Sequence, residues 1–315
     1  LRDQQPVEKI VHRALDIAMS EPRGPVYINL PREVLGHIVS NDRILPRNRP
    51  LGNAAAVPSE LAISQASDLI VASDKPLIVA GAVGQRPGVT EILGSIAKSF
   101  ALPVVQVGGP SLLSDHPMNL GYAAGEHLPD ADVILVIESA VPWIPRNVEP
   151  NKKAKIIHLS PDPHYSGLPY RGFEMDLAIA GEPLQSLKLI EDALISHKEL
   201  RREDIGKRYS KIESLHNEHV AKKIKVINSA NTDTPISTSW VAACLNKVKS
   251  DDSIIVSELG LNIDHIDYKV PGSIVSGAQA GGLGFGLGAA LGAKLAQPDR
   301  DVILFVGDGS YMFGN

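Results

Sequence analysis

The segment Val302-Ile-Leu-Phe-Val-Gly-Asp-Gly-Ser-Tyr-Met-Phe-Gly-Asn315 sets an apolar run directly before a glycine-rich turn. Residues 302–306 are all apolar and partly β-branched, which is typical of a strand buried on both faces of a parallel sheet. In open α/β sheets, ligands bind beyond the carboxyl ends of the strands. The turn at residues 307–310 is therefore well placed to bind a ligand.

The chemistry of this turn suits a metal-bound phosphate. Asp308 offers the hard oxygen ligand that Mg²⁺ prefers. Gly307 and Gly309 let the backbone approach a bound group without a Cβ in the way, and the N–H groups of such a turn can point at phosphate oxygens. A plain Asp-Gly turn without a ligand fits the same residues equally well, so the upstream sequence has to decide.

Two further glycine sites lie upstream in the same region. Ser257-Glu-Leu-Gly-Leu-Asn262 follows the apolar residues 254–256, and Gly281-Gly-Leu-Gly-Phe-Gly-Leu-Gly-Ala-Ala-Leu-Gly-Ala-Lys-Leu-Ala296 opens a helix of small residues. In this order the three sites resemble the cofactor-binding domain of thiamine diphosphate-dependent enzymes, most closely the acetolactate synthase-like branch. Within the resemblance, Gly307-Asp308-Gly309 matches the opening of the family's diphosphate and magnesium motif.

The resemblance implies a set of cofactor-binding residues in these three sites. Asp308 would ligate Mg²⁺, Gly281 would accept a hydrogen bond from the aminopyrimidine through its carbonyl, and Leu283 would support the bent shape of the cofactor. The remaining residues would contact the diphosphate or border it. The full set is Gly260, Asn262, Gly281, Gly282, Leu283, Gly307, Asp308, Gly309 and Ser310. Further along the helix, Gly288 and Gly292 are expected to serve close helix packing only.

Composition bounds the class of protein. The 315 residues are 43% hydrophobic and 21% charged with a net charge of −5, which gives no reason to expect nucleic acid or an anionic membrane as a partner. No apolar stretch is long enough for a membrane span. The single cysteine, Cys244, suits a reducing compartment, and we expect a cytoplasmic protein, although organelle targeting stays open.

Strands alternating with helices predict an α/β fold with doubly wound parallel sheets. The resemblance implies a central Rossmann-like domain followed by an incomplete thiamine diphosphate-binding domain, so we interpret the chain as an internal section of a longer protein. We divide it into the end of a pyrimidine-binding domain (1–38), a linker (39–58), the central domain (59–190), a charged and solvent-exposed helical linker (191–235) and the first part of the cofactor-binding domain (236–315).

Two elements carry specific expectations outside the cofactor-binding domain. Residues 26–30 are predicted to form a strand, and residues 24–34 resemble the closing strand of the family's pyrimidine-binding domain. Gly81-Ala-Val-Gly84 follows the apolar residues 76–80, but it is not a complete dinucleotide fingerprint and is weak evidence for one. Some relatives bind FAD in the central domain, where a Gly-Arg usually follows the strand that matches residues 133–137. Here Glu138-Ser follows it, which argues against FAD.

The resemblance also shows what these residues do not supply. The family's catalytic glutamate lies in the pyrimidine-binding domain, and Glu8, Glu21 and Glu33 do not match its position. The second magnesium ligand, an asparagine, lies further beyond Asp308 than Asn315. No catalytic residue is therefore assigned, and we expect this chain alone to be inactive.

Three functions remain open at this stage. The resemblance favours a thiamine diphosphate- and Mg²⁺-dependent enzyme that decarboxylates a 2-keto acid with carboligation, assembled as a homodimer or homotetramer. The second is a sister 2-keto acid or oxalyl-CoA-type decarboxylase. The third is a non-catalytic relative that binds FAD, NAD or a CoA-type ligand at residues 81–84.

Overall fold

The computed structural model describes residues 7–36, 38, 51–197, 202–277 and 281–314. The first of these segments contains α1 (Val7–Met19) and α2 (Arg32–Leu35). The strand predicted at residues 26–30 is wrong, because these residues have no strand conformation and Tyr27 is 88% exposed. No described strand lies beside them, and an apolar run without a pairing partner does not form a sheet. Residues 39–50 of the predicted linker lie outside the described residues.

The central region is a five-stranded parallel sheet with helices packed on it. The strand order is β2-β1-β3-β4-β5, so the order reverses beside β1 as in doubly wound folds. The predicted fold class is confirmed. The elements are α3 (Glu60–Ala72), β1 (Pro76–Ala80), α4 (Val89–Phe100), β2 (Val104–Gln106), β3 (Val133–Ile137), β4 (Lys155–Ser160), β5 (Leu177–Ala180) and α5 (Pro183–Ile195).

Both faces of this sheet are covered, which is why its central strands β1 and β3 are apolar throughout. Every residue of β1 and β3 is buried. Ile63 of α3, Leu93 of α4 and Ile190 of α5 belong to the same apolar core as these strands. A strand buried on both faces needs side chains that suit the core at every position, because its residues point alternately to the two faces.

A long charged helix, α6 (Arg202–Ser229), follows the central sheet. The prediction of a solvent-exposed helix is wrong for one of its faces. Ile212 is 4% exposed and joins the central core. His216 Nδ1 donates to the Asn119 carbonyl at 2.7 Å, and Arg208 donates to the Phe100 carbonyl at 2.7 Å. The charged residues occupy the rest of the helix, so charge alone hid this packed stripe.

The last region is a three-stranded parallel sheet with the order β7-β6-β8. Residues 302–305 form a parallel strand as predicted, but burial on both faces is wrong, because all of β8 is only half-buried. Within the described residues β8 pairs with β6 alone and is an edge strand. The elements are α7 (Thr238–Val248), β6 (Ile254–Ser257), β7 (Ile274–Ser276), α8 (Phe285–Ala296), β8 (Val302–Phe305) and α9 (Asp308–Phe313). No helix in the described ranges is long and apolar enough to cross a membrane.

Candidate functional site

The two turns predicted to bind a diphosphate lie side by side. β6 and β8 are parallel neighbours with Ser257 opposite Phe305. One residue further, the Glu258 N–H donates to the Phe305 carbonyl at 3.0 Å. The carboxyl ends of both strands therefore share one edge of the sheet, and residues 258–262 and 307–310 both leave from that edge.

The start of α8 reaches the same edge. A Cβ added at Gly286 would lie 2.9 Å from Glu258 Oε2 and 2.9 Å from Leu304 Cδ1, so the backbone of α8 packs directly against β6 and β8. One added at Gly284 would lie 3.1 Å from the Phe313 carbonyl carbon in α9. The three glycine sites that are far apart in sequence thus converge at one sheet edge.

Several predicted glycines border open space at this edge. A Cβ added at Gly281, Gly282 or Gly309 would meet no other atom of the described residues within 4 Å. Gly260 and Gly281 have φ angles of 83° and 65°, in the left-handed region where residues other than glycine are strained. A backbone that is bare on one side is what close approach of a bound group requires.

Asp308 is the first residue of α9, and its side chain is exposed. Its Oδ1 accepts a hydrogen bond from the Gly309 N–H at 2.8 Å. No cluster of three or more His, Cys, Asp or Glu side chains that could hold a metal occurs in the described part of the chain. Mg²⁺ commonly takes one or two carboxylates and completes its shell with phosphate oxygens and water, so Asp308 fits as one protein ligand of a metal beside a diphosphate.

Leu283 and Asn262 lie in the loops next to these turns. Leu283 directly precedes Gly284, the N-terminal cap of α8, and is 49% exposed although it is a large apolar residue. This exposure leaves it able to contact a ligand. Asn262 is half-buried, and its carbonyl accepts the His265 N–H at 3.1 Å. The two residues thus flank the shared edge on different segments.

Glu258, which no sequence pattern singled out, lies at the centre of this edge. The residue is 8% exposed, and its carboxylate accepts the N–H groups of Gly284 at 2.8 Å and Gly286 at 2.6 Å. The hydrogen bond from Gly286, then that from Gly284 and one from the Ser310 hydroxyl, outweigh burial and lower the pKa of Glu258. An acidic residue directly after an apolar strand was the available signal.

The alternative nucleotide site at residues 81–84 is filled by the protein itself. The Gly81 N–H donates to the Ile137 carbonyl at 2.7 Å, and the Gly84 N–H donates to the Pro110 carbonyl at 3.1 Å. A Cβ added at Gly84 would lie 2.8 Å from the Tyr268 hydroxyl. Both glycines serve close packing, and their N–H groups are not available to a phosphate.

Glu138 stands where flavin-binding relatives carry a Gly-Arg, and it is engaged by the protein. Its carboxylate forms an ion pair with Arg86, with Nε and Oε2 2.5 Å apart, and Arg86 also pairs with Glu21 at 2.9 Å. Burial raises the pKa of Glu138 despite the charge of Arg86. The Arg86 cation is thus already neutralised by two carboxylates and is not free to bind a phosphate.

A crevice of about 520 Å³ lies where the strand order of the central sheet reverses. It runs between the loops that follow β2 and β3, at the position where doubly wound sheets bind ligands. Gln106, Tyr122, Trp143 and Asn147 are among its lining residues, and no charged side chain occurs among the described residues that line it. A diphosphate placed there would lack a cationic partner.

Family models match both sheets of the chain. Residues 63–190 match the model described as "Thiamine pyrophosphate enzyme, central domain". Residues 261–314 match the model described as "Thiamine pyrophosphate enzyme, C-terminal TPP binding domain". The second match covers the loop before α8, the helix itself and the turn at Asp308.

Curated relatives match along nearly the whole chain. The probable acetolactate synthase large subunit of Methanocaldococcus jannaschii is 27% identical, over 100% of this chain and 55% of the relative. The acetolactate synthase large subunit of Lactococcus lactis is 25% identical over 100% and 55%, and the isozyme 3 large subunit of Escherichia coli is 23% identical over 98% and 56%. The chain spans about half the length of the curated relatives it matches.

Proposed function

The chain belongs to the thiamine pyrophosphate enzyme family, and from this premise we propose that the complete protein is an acetolactate synthase-like enzyme. It binds thiamine diphosphate and Mg²⁺ and acts on a 2-keto acid by decarboxylation with carboligation. The observation that carries the proposal is that the segments of Gly260, Gly281 and Asp308 converge on one sheet edge, where the backbones of Gly281 and Gly309 border open space. The relatives are acetolactate synthase subunits, which supports the substrate class.

Each segment has a distinct part in holding the cofactor. Asp308 would hold Mg²⁺ and, through it, the diphosphate, and the backbone of Gly309 would border the diphosphate. Gly260 and Asn262 approach the diphosphate from the end of β6. The Gly281 carbonyl would accept a hydrogen bond from the aminopyrimidine, and the exposed Leu283 side chain would support the ring system. When bound, the cofactor would supply a nucleophilic ylid carbon.

Isothermal titration calorimetry of the complete protein tests cofactor binding. We expect thiamine diphosphate to bind in the presence of Mg²⁺, and Asp308→Ala to weaken this binding at least tenfold because the metal bridge is lost. Asp299→Ala is the matched control, since Asp299 is also exposed and precedes β8 at the opposite end. Wild-type affinity in Asp308→Ala would refute the assignment of the metal ligand.

Product analysis tests the reaction. With pyruvate as the substrate, the complete protein is expected to release CO₂ and form acetolactate. Release of a free aldehyde, or turnover of oxalyl-CoA or aromatic keto acids alone, would instead identify a sister decarboxylase. Binding of FAD or NAD without any Mg²⁺-dependent binding of thiamine diphosphate would contradict both readings and support a non-catalytic relative.

We further propose that the complete protein is a cytoplasmic homodimer or homotetramer. An apolar stripe along α1 supports the assembly, because Val11, Leu15 and Met19 are each more than a third exposed. Light scattering with the complete protein tests this directly, and a monomer at micromolar concentration would contradict it.

A further inference from the structure

We propose that Glu258 is a positioning residue, which holds the three cofactor-binding segments in a fixed arrangement through a single carboxylate. The inference rests on the proposed function and adds a residue that binds neither metal nor cofactor. Glu258 is 8% exposed, and each of its two oxygens accepts a backbone N–H. Both oxygens of this carboxylate therefore already contact the start of α8.

The partners of Glu258 sit beside the proposed cofactor contacts. Oε1 accepts the N–H of Gly284, the residue directly after Leu283, and Oε2 accepts the N–H of Gly286. The Ser310 hydroxyl, which is in the turn of Asp308, also helps to lower the pKa of this carboxylate, and Ser310 is 5% exposed. Glu258 itself precedes Gly260 by two residues. One side chain thus links all three segments.

These contacts also decide where a diphosphate can be held. The first N–H groups of a helix attract anions. At the start of α8, the Glu258 carboxylate already accepts two backbone N–H groups. These two groups are therefore not free to bind an external anion. A diphosphate would therefore be held mainly through a metal on Asp308 and by the backbone of Gly309 and Gly260, and α8 would contribute only the loop before it.

Glu258→Gln is the direct test. Glutamine keeps the size of the side chain but replaces one acceptor oxygen by an NH₂ group, which would face an N–H donor. Glu182→Gln is a matched control, because the Glu182 carboxylate also accepts two N–H groups at a helix start, from Leu184 at 3.0 Å and Gln185 at 2.9 Å. Glu182 lies in the central region, away from the cofactor-binding segments.

The measurements are the Kd for thiamine diphosphate with saturating Mg²⁺, the Tm, and the steady-state dependence on the cofactor. We expect Glu258→Gln to raise the Kd and the cofactor KM at least tenfold, with kcat largely restored at saturating cofactor. Glu182→Gln should change the Kd less than twofold at a comparable loss of Tm. A loss of active enzyme with an unchanged KM in Glu258→Gln would show a merely structural role and overturn the inference.

Glu258→Asp serves if the glutamine variant does not fold. It keeps the charge but is one methylene too short to reach both N–H groups, and we expect at least a threefold rise in Kd. Unchanged affinity in a folded Glu258 variant would overturn the inference and leave the proposed function intact. Absence of any binding of thiamine diphosphate by the wild-type protein would overturn the proposed function and this inference together.

Discussion

The two parallel sheets show how one sequence signal leads to two degrees of burial. Residues 76–80 and 133–137 in the central sheet and residues 302–305 in the second sheet are similar apolar runs. The first two are completely buried, whereas β8 is half-buried along its length. β1 and β3 each have a strand on both sides, but within the described residues β8 has one only. An apolar run therefore predicts a strand, and the neighbours of that strand decide its burial.

Truncation of one isoleucine in each sheet tests this difference, and it carries the largest expected effect. Ile134→Ala in β3 removes a side chain that is 0% exposed, and it should lower the free energy of unfolding by about 2–5 kcal/mol. Ile303→Ala in β8 should cost about 1 kcal/mol, because a half-buried side chain loses less apolar contact. Urea unfolding of both variants, followed by circular dichroism, gives the two values.

Equal losses in the two variants would break the comparison. They would show that β8 has both faces covered in the complete protein, so that its half-burial would hold only for the residues described in this structure. A larger loss for Ile303→Ala would further contradict the view that the central sheet holds the main core.

The glycines of the two regions also differ in how closely other atoms surround them. Substitution of one glycine in each region by alanine tests this difference. Gly84 is buried, and a Cβ there would meet the Pro110 carbonyl and the Tyr268 hydroxyl, so Gly84→Ala should destabilise by about 1–3 kcal/mol. Gly288 lies inside α8, and a Cβ there would meet nothing within 4 Å. Gly288→Ala should therefore stabilise by about 0.5–1 kcal/mol, since alanine favours a helix interior.

Thermal unfolding of both glycine variants measures these shifts. The expectation that Gly288 and Gly292 serve packing is wrong within the described residues, because both face open space. A destabilising Gly288→Ala in the complete protein would restore the packing role, by showing that another surface covers α8 there.

Local patterns predicted the elements of the chain well. The apolar runs at residues 76–80 and 133–137 form strands with these same bounds. β5 and β7 carry no clear signal in the sequence, because four and three residues are too few for a periodic pattern. Residues 26–30 have the apolar pattern of a strand but do not form one, because no described strand lies beside them.

The candidate site was predictable only in part. The glycines and Asp308 carry recognisable chemistry in their sequence, and the parallel pairing of β6 and β8 brings their turns together. Glu258 has no such signature. Its importance comes from the N–H groups of Gly284 and Gly286, which are remote in sequence and become its partners only when α8 packs on the sheet. Such a contact is a property of the tertiary fold.

Buried histidines extend the comparison to pH. Burial, together with the charges of Arg171 and His164, lowers the pKa of His158 in β4 to about 3. In the unfolded chain a histidine has a pKa of about 6.5, so between these values the unfolded state binds one more proton. The stabilisation that comes from keeping His158 neutral is fully present above pH 6.5. As the pH decreases towards 3, the free energy of unfolding falls by about 1.4 kcal/mol per pH unit.

His158→Gln should flatten this slope, because glutamine does not titrate and its oxygen can still accept from Arg171, whose Nη2 lies 2.9 Å from His158 Nδ1. In the second sheet region, burial lowers the pKa of His265, but the charge of Asp264 opposes the shift. His265→Gln should therefore change the slope less. Urea unfolding between pH 4.5 and 6.5 measures both slopes, and equal changes would contradict the stronger burial of the central sheet.

The smallest expected loss of stability comes from removing a helix cap. Both regions contain a helix that is capped by a serine side chain. Ser59 caps α3 of the central region by accepting the Ala62 N–H at 3.3 Å, and Ser237 caps α7 by accepting the Trp240 N–H at 3.3 Å. A cap acts within one turn of the chain and does not depend on how well the sheet is covered. Ser59→Ala and Ser237→Ala should each cost about 1 kcal/mol, measured by urea unfolding. If Ser59→Ala lowers the free energy of unfolding and Ser237→Ala does not, α7 unfolds separately from the central sheet. The two regions would then differ in folding cooperativity as well as in burial.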